Sequence, residues 1–355
     1  MDGSFTTEFS PHLADLRPAA QRILEIQNAD GGIAWFEKGP WDPWNHVESA
    51  MALAATGHIG AAIAAYDYLL TTQREDGAWF GEYGNALPMV DRDFIIREPA
   101  PAFLDSNFCA YPAVGIAHYF QVTGDLERVR AWWHMVKNAL DFVLTLQRPD
   151  GTISWAFEAL GTDQDDALLA GNASIAKSLE CGIFLAQLLH QDHQAWHEAH
   201  TSLTHALRAT PDRFDKRQTG ARFAMDWYYP VLAGVLKEED AVKRILDGWT
   251  KFVIDTHGCR CVSDEPWVTA AESAELVLAL LKIGHRDHAT RIFEKMMSIR
   301  DDKGVFWMGW QTEESIVWPR EQPSWTQAAI ILAADALRAE TLSSQVLTHS
   351  LLKTP

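Results

Sequence analysis

The sequence is poor in cysteine and lacks an excess of positive charge. Four of its 355 residues are cysteines, too few and too scattered for the disulfide scaffold of a small secreted domain. Lysine and arginine number 30 against 48 aspartates and glutamates, which gives a formal net charge of −18. Nucleic acids and anionic membrane surfaces are bound by basic patches, so neither is expected as a partner.

Long apolar runs and a signal-peptide pattern are also missing. No stretch of about 18 apolar residues exists, so no transmembrane segment is expected. The N-terminus, MDGSFTTEFSPHLADLRP, is polar and acidic rather than basic and then apolar. These features predict a cytoplasmic protein. Cys259 and Cys261 flank one arginine, but no second Cys or His pair follows at a zinc-site spacing, so neither a metal nor another cofactor is expected.

Apolar residues at helical spacing dominate what is present. They predict about twelve helices and no convincing strand. Amphipathic helices alternate with helices that are apolar all round, and the second kind is normally buried. This alternation, with one amphipathic and one apolar helix in each pair, predicts an all-α fold: a single (α/α)6 toroid with the apolar helices inside. Because no linker-like stretch interrupts the chain, residues 1–355 are predicted to form one domain, with the long loop 78–104 as a candidate lid.

A turn motif recurs after the predicted outer helices. It reads Gln-x-x-Asp-Gly with a following Trp, and clear copies begin at Gln27, Gln73 and Gln147, with a degenerate copy at Arg300. We expect the glycine to close the helix as a left-handed residue and the aspartate to support the turn. These copies resemble the Gln-Trp repeats of the terpenoid cyclase and protein prenyltransferase superfamily, whose domains are (α/α)6 barrels.

Three carboxylates, Asp163, Asp165 and Asp166, stand close together where an apolar helix is predicted to begin. Their mutual repulsion favours a bound proton near neutral pH, which suits an acid catalyst. The simpler interpretation is that Asp163 or Asp165 caps the helix. The cluster resembles the Asp-x-Asp-Asp motif of class II terpene cyclases. That resemblance implies that Asp165 is the general acid and that Asp163 and Asp166 tune it.

The N-termini of the inner helices are predicted to meet at one mouth of the toroid. Acids and aromatics gather there as they do in binding sites, which predicts a pocket for a small-molecule substrate. The candidate substrate-binding residues are Trp41, Trp44, His46, Glu48, Asp105, Asn107, Phe108, Tyr111, Asn172, Asp226, Trp227, Tyr228, Trp267, Glu272, Glu275 and Trp325.

Three functions suit this pocket. The resemblance implies an isomerase or lyase that starts the cyclisation or isomerisation of a polyprenyl chain with a proton, so an isoprenoid is the favoured substrate. Glycoside hydrolases and polysaccharide lyases also use six-hairpin toroids. A carbohydrate enzyme would set Asp105 or Asp165 against Asp226 or Glu272. The third function is a non-catalytic toroid that binds an isoprenoid, a glycan or a protein. A protein prenyltransferase is disfavoured, because its Asp, Cys and His zinc site has no match here.

Overall fold

The computed structural model describes residues 11–84, 103–157, 166–216 and 222–352; most of the predicted lid, residues 85–102, lies outside these ranges. Twelve helices alternate between an outer and an inner ring. The outer helices are α1 (Arg17–Ile26), α3 (Ile59–Thr72), α6 (Leu126–Thr145), α8 (Gln194–Ala209), α10 (Glu238–Phe252) and α12 (Arg286–Met296). The inner helices are α2 (Pro43–Ala55), α5 (Pro112–Thr123), α7 (Leu169–Leu189), α9 (Ala224–Leu232), α11 (Ala270–Lys282) and α13 (Ser324–Arg338). A short helix, α4 (Ser106–Ala110), precedes α5, and another, α14 (Gln345–Thr348), follows α13.

The inner helices form a closed ring. Each packs against the next along the chain, and α13 returns to pack against α2. Inner helices are buried on nearly every side, as α2 shows with twelve of its 13 residues buried, whereas α10 of the outer ring buries three of its 15. Burial therefore follows the alternation of apolar and amphipathic segments in the sequence. The predicted all-α (α/α)6 toroid is confirmed.

The sequence shows no convincing strand, but short strands join the loops at the mouth. All the pairs are antiparallel: β1 (Leu104–Asp105) with β2 (Ala156–Phe157), β3 (Val253–Ile254) with β4 (Gly258–Cys259), and β6 (Gly309–Gln311) with both β5 (Trp267–Thr269) and β7 (Ile316–Val317). Strands of two or three residues escape sequence reasoning, because the alternation that reveals a strand needs about four to eight residues.

The Gln-x-x-Asp-Gly turns join neighbouring outer helices. The Gln27 side-chain amide donates to the carbonyl of Gly31 in its own turn and to that of Ala61 in α3, both at 3.0 Å. Gln73 and Gln147 bond in the same way to α6 and α8. In each turn the aspartate accepts a backbone N–H two residues on, and the glycine is left-handed. The predicted left-handed glycine and the turn-supporting aspartate are confirmed, but the glycine does not close the helix, because α1 and α3 have their C-caps at Gln27 and Gln73, four residues before it.

Buried polar side chains of the inner helices hold these turns from the other side. The N–H of Ile33 donates to His46 Nδ1 at 3.0 Å, and the second ring nitrogen of His46 bonds the carbonyl of Ala65 at 2.9 Å. Burial lowers the pKa of His46 to about 4, so the ring is neutral. Asn172 of α7 takes the place of His46 in the third hairpin, where it accepts the N–H of Ile153 at 2.8 Å. Both side chains therefore connect a turn to the inner ring.

A buried ion pair holds the C-terminal segment against α7. Lys177 donates to Glu180 Oε1 at 2.9 Å and to the carbonyl of His349 at 2.8 Å, and Glu180 also accepts the N–H of Leu351 at 2.6 Å. Both charged side chains are almost completely buried. A buried charge is tolerated when it is paired and hydrogen-bonded in this way.

Glu180→Gln is expected to destabilise the protein at pH 7 by about 3–5 kcal/mol, because it leaves the charge of Lys177 buried without a counterion. Burial alone would raise the pKa of Glu180, but the charge of Lys177 and the N–H of Leu351 outweigh it, and the pKa lies below its ordinary value. A carboxyl with a lowered pKa adds stability above its unfolded-state pKa and loses it as the pH falls through the folded-state pKa.

Urea unfolding of the wild type and of Glu180→Gln at several pH values measures this contribution. The difference in unfolding free energy should be full at pH 7 and should shrink below about pH 4.3, the usual pKa of a glutamate. Asp247→Asn is the control, because it breaks an ion pair with Lys243 that is exposed and therefore worth little. An equal difference at pH 7 and at pH 3 would show that the ion pair does not act through its charge.

Candidate active site

Two glutamates from different inner helices lie close enough for their charges to interact. Glu48 is on α2, and its Oε1 accepts the hydroxyl of Tyr111 at 3.1 Å. Glu275 is on α11, and its Oε2 accepts the hydroxyl of Tyr228. We call Glu48 and Glu275 the acid pair. Their exposed fractions are 7% and 9%, so both are buried but still touch the surface of the protein.

Burial and mutual repulsion favour the protonated forms of the acid pair. Burial raises the pKa of Glu48 to about 7, although the hydrogen bond from Tyr111 acts in the opposite direction. Burial and then the charge of Glu48 raise the pKa of Glu275 well above its ordinary value. Two neighbouring carboxylates in a buried site cannot both ionise cheaply. Near neutral pH the acid pair therefore holds at least one proton that it can donate.

Trp44 connects the acid pair to a cavity at the mouth of the toroid. Its ring stacks on Tyr111 with centroids 4.4 Å apart and planes 2° from parallel. It also lies 5.5 Å from the ring of Tyr229 and 6.1 Å from that of Phe108. Tyr111 in turn donates its hydroxyl to Glu48. Trp44 and Tyr111 therefore link the cavity wall to the acid pair through one ring stack and one hydrogen bond.

The cavity beside Trp44 has a volume of about 430 Å³, and we call it the first cavity. Six of the predicted site residues line it: Trp44, Asp105, Asn107, Phe108, Asn172 and Asp226. Nine other residues line the cavity that were not among the predicted site residues, and four of them carry large or charged side chains that bear on binding: Trp155, Asp215, Phe223 and Met225. Trp155 is the tryptophan of the third turn motif, a signal that was available. Asp215, Phe223 and Met225 belong to no motif.

Aspartates of the first cavity also hold the starts of helices. Asp105 Oδ1 accepts the N–H groups of Asn107 and Phe108, at 2.9 and 3.0 Å, and so caps α4. At the start of α7, Asp215 Oδ1 bonds the N–H of Leu169 at 3.2 Å, and Asp226 Oδ1 bonds the N–H of Ala170 at 3.3 Å. These carboxylates thus stabilise helix N-termini while they line the cavity.

The predicted acid motif is only partly visible. Asp163 and Asp165 lie outside the described residues, so their predicted catalytic roles stay predictions. Asp166 is buried, and its Oδ1 accepts the N–H groups of Ala167 and Lys216 at 2.9 and 3.0 Å. The helix begins at Leu169 with Leu168 as its N-cap, so Asp166 does not cap it. Asp166 joins two loops beside the first cavity.

The remaining predicted site residues lie outside the first cavity and the acid pair. Three are tryptophans that pack on aromatic neighbours: Trp41 on Tyr83, Trp267 on Trp318 and Trp325 on Trp35. Glu272 accepts the hydroxyl of Thr269, one turn before Glu275. Trp227 packs on Phe252 and lines a second cavity. The structure therefore separates the predicted set into cavity residues, the acid pair with its tyrosines, and side chains that pack between loops.

Among the residues that the structure describes, no three His, Cys, Asp or Glu side chains are grouped as metal ligands would be. None of the described helices is long and apolar enough to cross a bilayer. The cytoplasmic location stays a prediction.

A curated relative establishes the family. The chain matches no protein-family model. It is 42% identical over 325 residues to the MMP endo-(1,4)-3-O-methyl-α-D-mannosidase of Mycolicibacterium hassiacum, and the match covers 92% of this chain and 86% of the relative. The chain belongs to the family of this mannosidase.

Solved glycosidases share the fold. The GH63 mannosylglycerate hydrolase of Thermus thermophilus, solved in complex with glucose, superposes with a TM-score of 0.66 at 11% identity, over 89% of this chain and 99% of the hydrolase. A glycosidase variant in complex with glucose gives a TM-score of 0.68 at 14% identity, over 92% of this chain and 98% of that one. At these identities the likeness concerns the fold alone.

The terpenoid cyclase prediction was wrong, and with it the prediction of an isomerase or lyase with an isoprenoid substrate. The mannosidase relative overturns it and supports the alternative, a carbohydrate-active enzyme. The physical reason lies in the repeat. The Gln-x-x-Asp-Gly turns bond the backbones of outer helices to one another, so they report how hairpins stack rather than what the pocket binds.

Proposed function

We propose that the chain is an endo-acting glycoside hydrolase that cleaves α-(1,4) linkages between 3-O-methylated mannose units. The observation that carries this proposal is the 42% identity, over 92% of the chain, to a mannosidase named for that reaction. The proposed substrate is therefore a glycan, and it binds at the mouth of the toroid.

The acid pair supplies the proton chemistry that this reaction needs. Hydrolysis of a glycosidic bond requires an acid that protonates the leaving oxygen and a carboxylate that acts as base or nucleophile. Glu48 and Glu275 interact electrostatically, and one of them stays protonated near neutral pH. The other supplies the ionised carboxylate. We therefore place the scissile bond beside Trp44, where the first cavity and the acid pair meet.

The lining of the first cavity suits a sugar that carries methyl ethers. Polar side chains, including Asp105, Asn107 and Asp226, offer hydrogen bonds to hydroxyl groups. Apolar side chains share the same wall: Trp44, Phe108, Trp155, Leu168, Phe223 and Met225. A methyl ether on the 3-oxygen removes a donor and adds an apolar contact, so a mixed wall of this kind favours the methylated sugar.

Incubation with a panel of substrates tests the proposal. We expect 3-O-methylated α-(1,4)-mannooligosaccharides to give several shorter oligosaccharides, as internal cleavage requires. Unmethylated oligosaccharides of equal length should be cleaved more slowly, and polyprenyl diphosphates should be recovered unchanged. Chromatography with mass detection follows all three substrates. If no mannoside is shortened, or if monosaccharides are released only from one end, the proposed endo-mannosidase activity is wrong.

A further inference from the structure

A second cavity of about 710 Å³ adjoins the first. Asp215, Phe223 and Asp226 line both cavities, so the two are separated by a shared wall rather than by a layer of core. Outer helix α10 forms much of the second cavity, which therefore extends from the mouth towards the rim of the toroid. Each volume is within the range of about 300–1,000 Å³ that is usual for ligand sites.

The second cavity is lined by charges of both signs and by aromatic rings. Its basic residues are Lys243, Arg244 and Lys251, and its acidic residues are Asp212, Asp215, Asp226, Asp240 and Asp247. Acids outnumber bases, which disfavours an anionic ligand. Donors and acceptors beside the rings of Phe214, Trp227 and Phe252 suit a neutral, polyhydroxylated ligand with apolar faces.

Phe223 stands in the wall between the two cavities. It is the N-cap residue of α9, and its backbone pairs with that of Val262, so its position is fixed by the fold. The residue nevertheless stays 37% exposed, and it is the one exposed Phe, Tyr or Trp among the residues whose exposure the structure describes. The guanidinium of Arg222 lies 5.6 Å from the ring centroid. An exposed ring held in place at the junction provides a platform for the face of a sugar.

We propose that the second cavity binds the part of the glycan chain that continues beyond the first cavity, and that Phe223 supports the sugar that passes between them. This inference rests on the proposed endo-mannosidase function. An enzyme that cleaves inside a chain must hold sugars on both sides of the scissile bond. The second cavity supplies binding sites on one side, so long chains are cleaved more efficiently than short ones.

Kinetics on a length series of 3-O-methylated oligosaccharides tests the inference. We compare kcat/KM for a long chain with kcat/KM for the shortest chain that is cleaved. Phe223→Ala should lower this ratio about two- to twelvefold, since an aromatic contact contributes about 0.5–1.5 kcal/mol. The double variant Lys243→Ala with Asp247→Ala, which leaves the net charge unchanged, should also lower the ratio, because it removes hydrogen-bonding groups of the second cavity alone.

Leu246→Ala is the matched control: it removes a 60% exposed apolar side chain of α10 that lines neither cavity, and the ratio should not change.

An unchanged ratio in Phe223→Ala and in the double variant, with thermal unfolding like that of the wild type, would overturn the inference. If the proposed function itself is wrong, the result is different, because the wild type then cleaves no chain of any length. In that case, calorimetric titration with the longest oligosaccharide still tests the second cavity. Weaker binding by the double variant Lys243→Ala with Asp247→Ala, whose residues line the second cavity alone, than by Leu246→Ala supports the inference, and equal binding rejects it.

Discussion

Glu275→Gln is expected to lower kcat on a 3-O-methylated α-(1,4)-mannooligosaccharide by about 10²–10⁴-fold, the usual contribution of a general acid or base. The substitution keeps the shape of the side chain and can still accept the hydrogen bond from Tyr228. It removes the carboxyl group that can exchange a proton with the glycosidic oxygen or with water. Because sugar contacts in the first cavity remain, KM should change much less than kcat.

The pH profile distinguishes a catalytic acid pair from a structural one. Glu275 holds the proton and Glu48 is the carboxyl that ionises near pH 7, so activity that needs an ionised Glu48 falls on the acidic side as this carboxyl takes up a proton. The hydrogen bond from Tyr111 lowers the pKa of Glu48, so Tyr111→Phe raises that pKa. The acidic limb of the kcat profile in Tyr111→Phe should therefore move to higher pH. If the limb does not move, Glu48 is not the group whose titration controls the rate.

Two rival carboxylates are tested in the same assay. Asp226→Asn removes a negative charge at the N-terminus of α7 and replaces one acceptor oxygen of the first cavity by a donor, so we expect a higher KM and a lower melting temperature. Asp165→Asn tests the prediction made from the sequence. If Glu275→Gln keeps the kcat of the wild type while Asp165→Asn loses it, the acid lies in the 163–166 cluster and the acid pair is structural.

Gly77→Ala is expected to cost at least about 4 kcal/mol of unfolding free energy, a loss outside the ordinary range for one substitution. Gly77 has φ +88°, and a β-carbon on it would lie 2.3 Å from the carbonyl oxygen and 2.7 Å from the carbonyl carbon of Asn138. These are backbone atoms of α6, so the outer helix itself would have to move. That movement would also strain the bonds that Gln73 makes to Gly77 and Met135.

Gly57→Ala is the matched control. Gly57 has φ +82°, so alanine there meets the same left-handed conformation, but nothing lies within 4 Å of its β-carbon. It should cost only about 1–2 kcal/mol, the penalty of the conformation alone. Urea unfolding of both variants measures the difference, which isolates the contact between neighbouring outer helices. Equal losses would mean that the close approach at Gly77 contributes nothing beyond its φ angle.

The fold was predictable because its signals are local. The alternation of apolar and amphipathic helices and the turns at Gln27, Gln73 and Gln147 each lie within one hairpin, and stacking repeats the unit. The ends of elements were less accurate. Asp166 was expected to begin the third inner helix, but that helix begins at Leu169, because the N–H groups of its first turn are bonded by Asp215 and Asp226 from later in the chain.

The site was predictable as a set of side chains but not as an arrangement. Glu48 and Glu275 were both among the predicted residues, yet no sequence pattern relates them, since their interaction depends on closure of the inner ring. The Asp-x-Asp-Asp match drew attention to Asp165 because its members are adjacent in sequence. Phe223 and Asp215 could not be found, because a residue in an irregular loop shows no periodicity.

Hydrolysis in water enriched in ¹⁸O tests the central claim most directly. A defined 3-O-methylated α-(1,4)-mannooligosaccharide is incubated with the enzyme, and the products are weighed by mass spectrometry after a short reaction. We predict pairs of shorter oligosaccharides whose summed mass equals that of the substrate plus one molecule of labelled water. A reducing oligosaccharide incubated without enzyme corrects for exchange at the chain end. Products without label and lighter by one water would indicate a lyase, and an intact substrate would contradict the claim of a glycoside hydrolase.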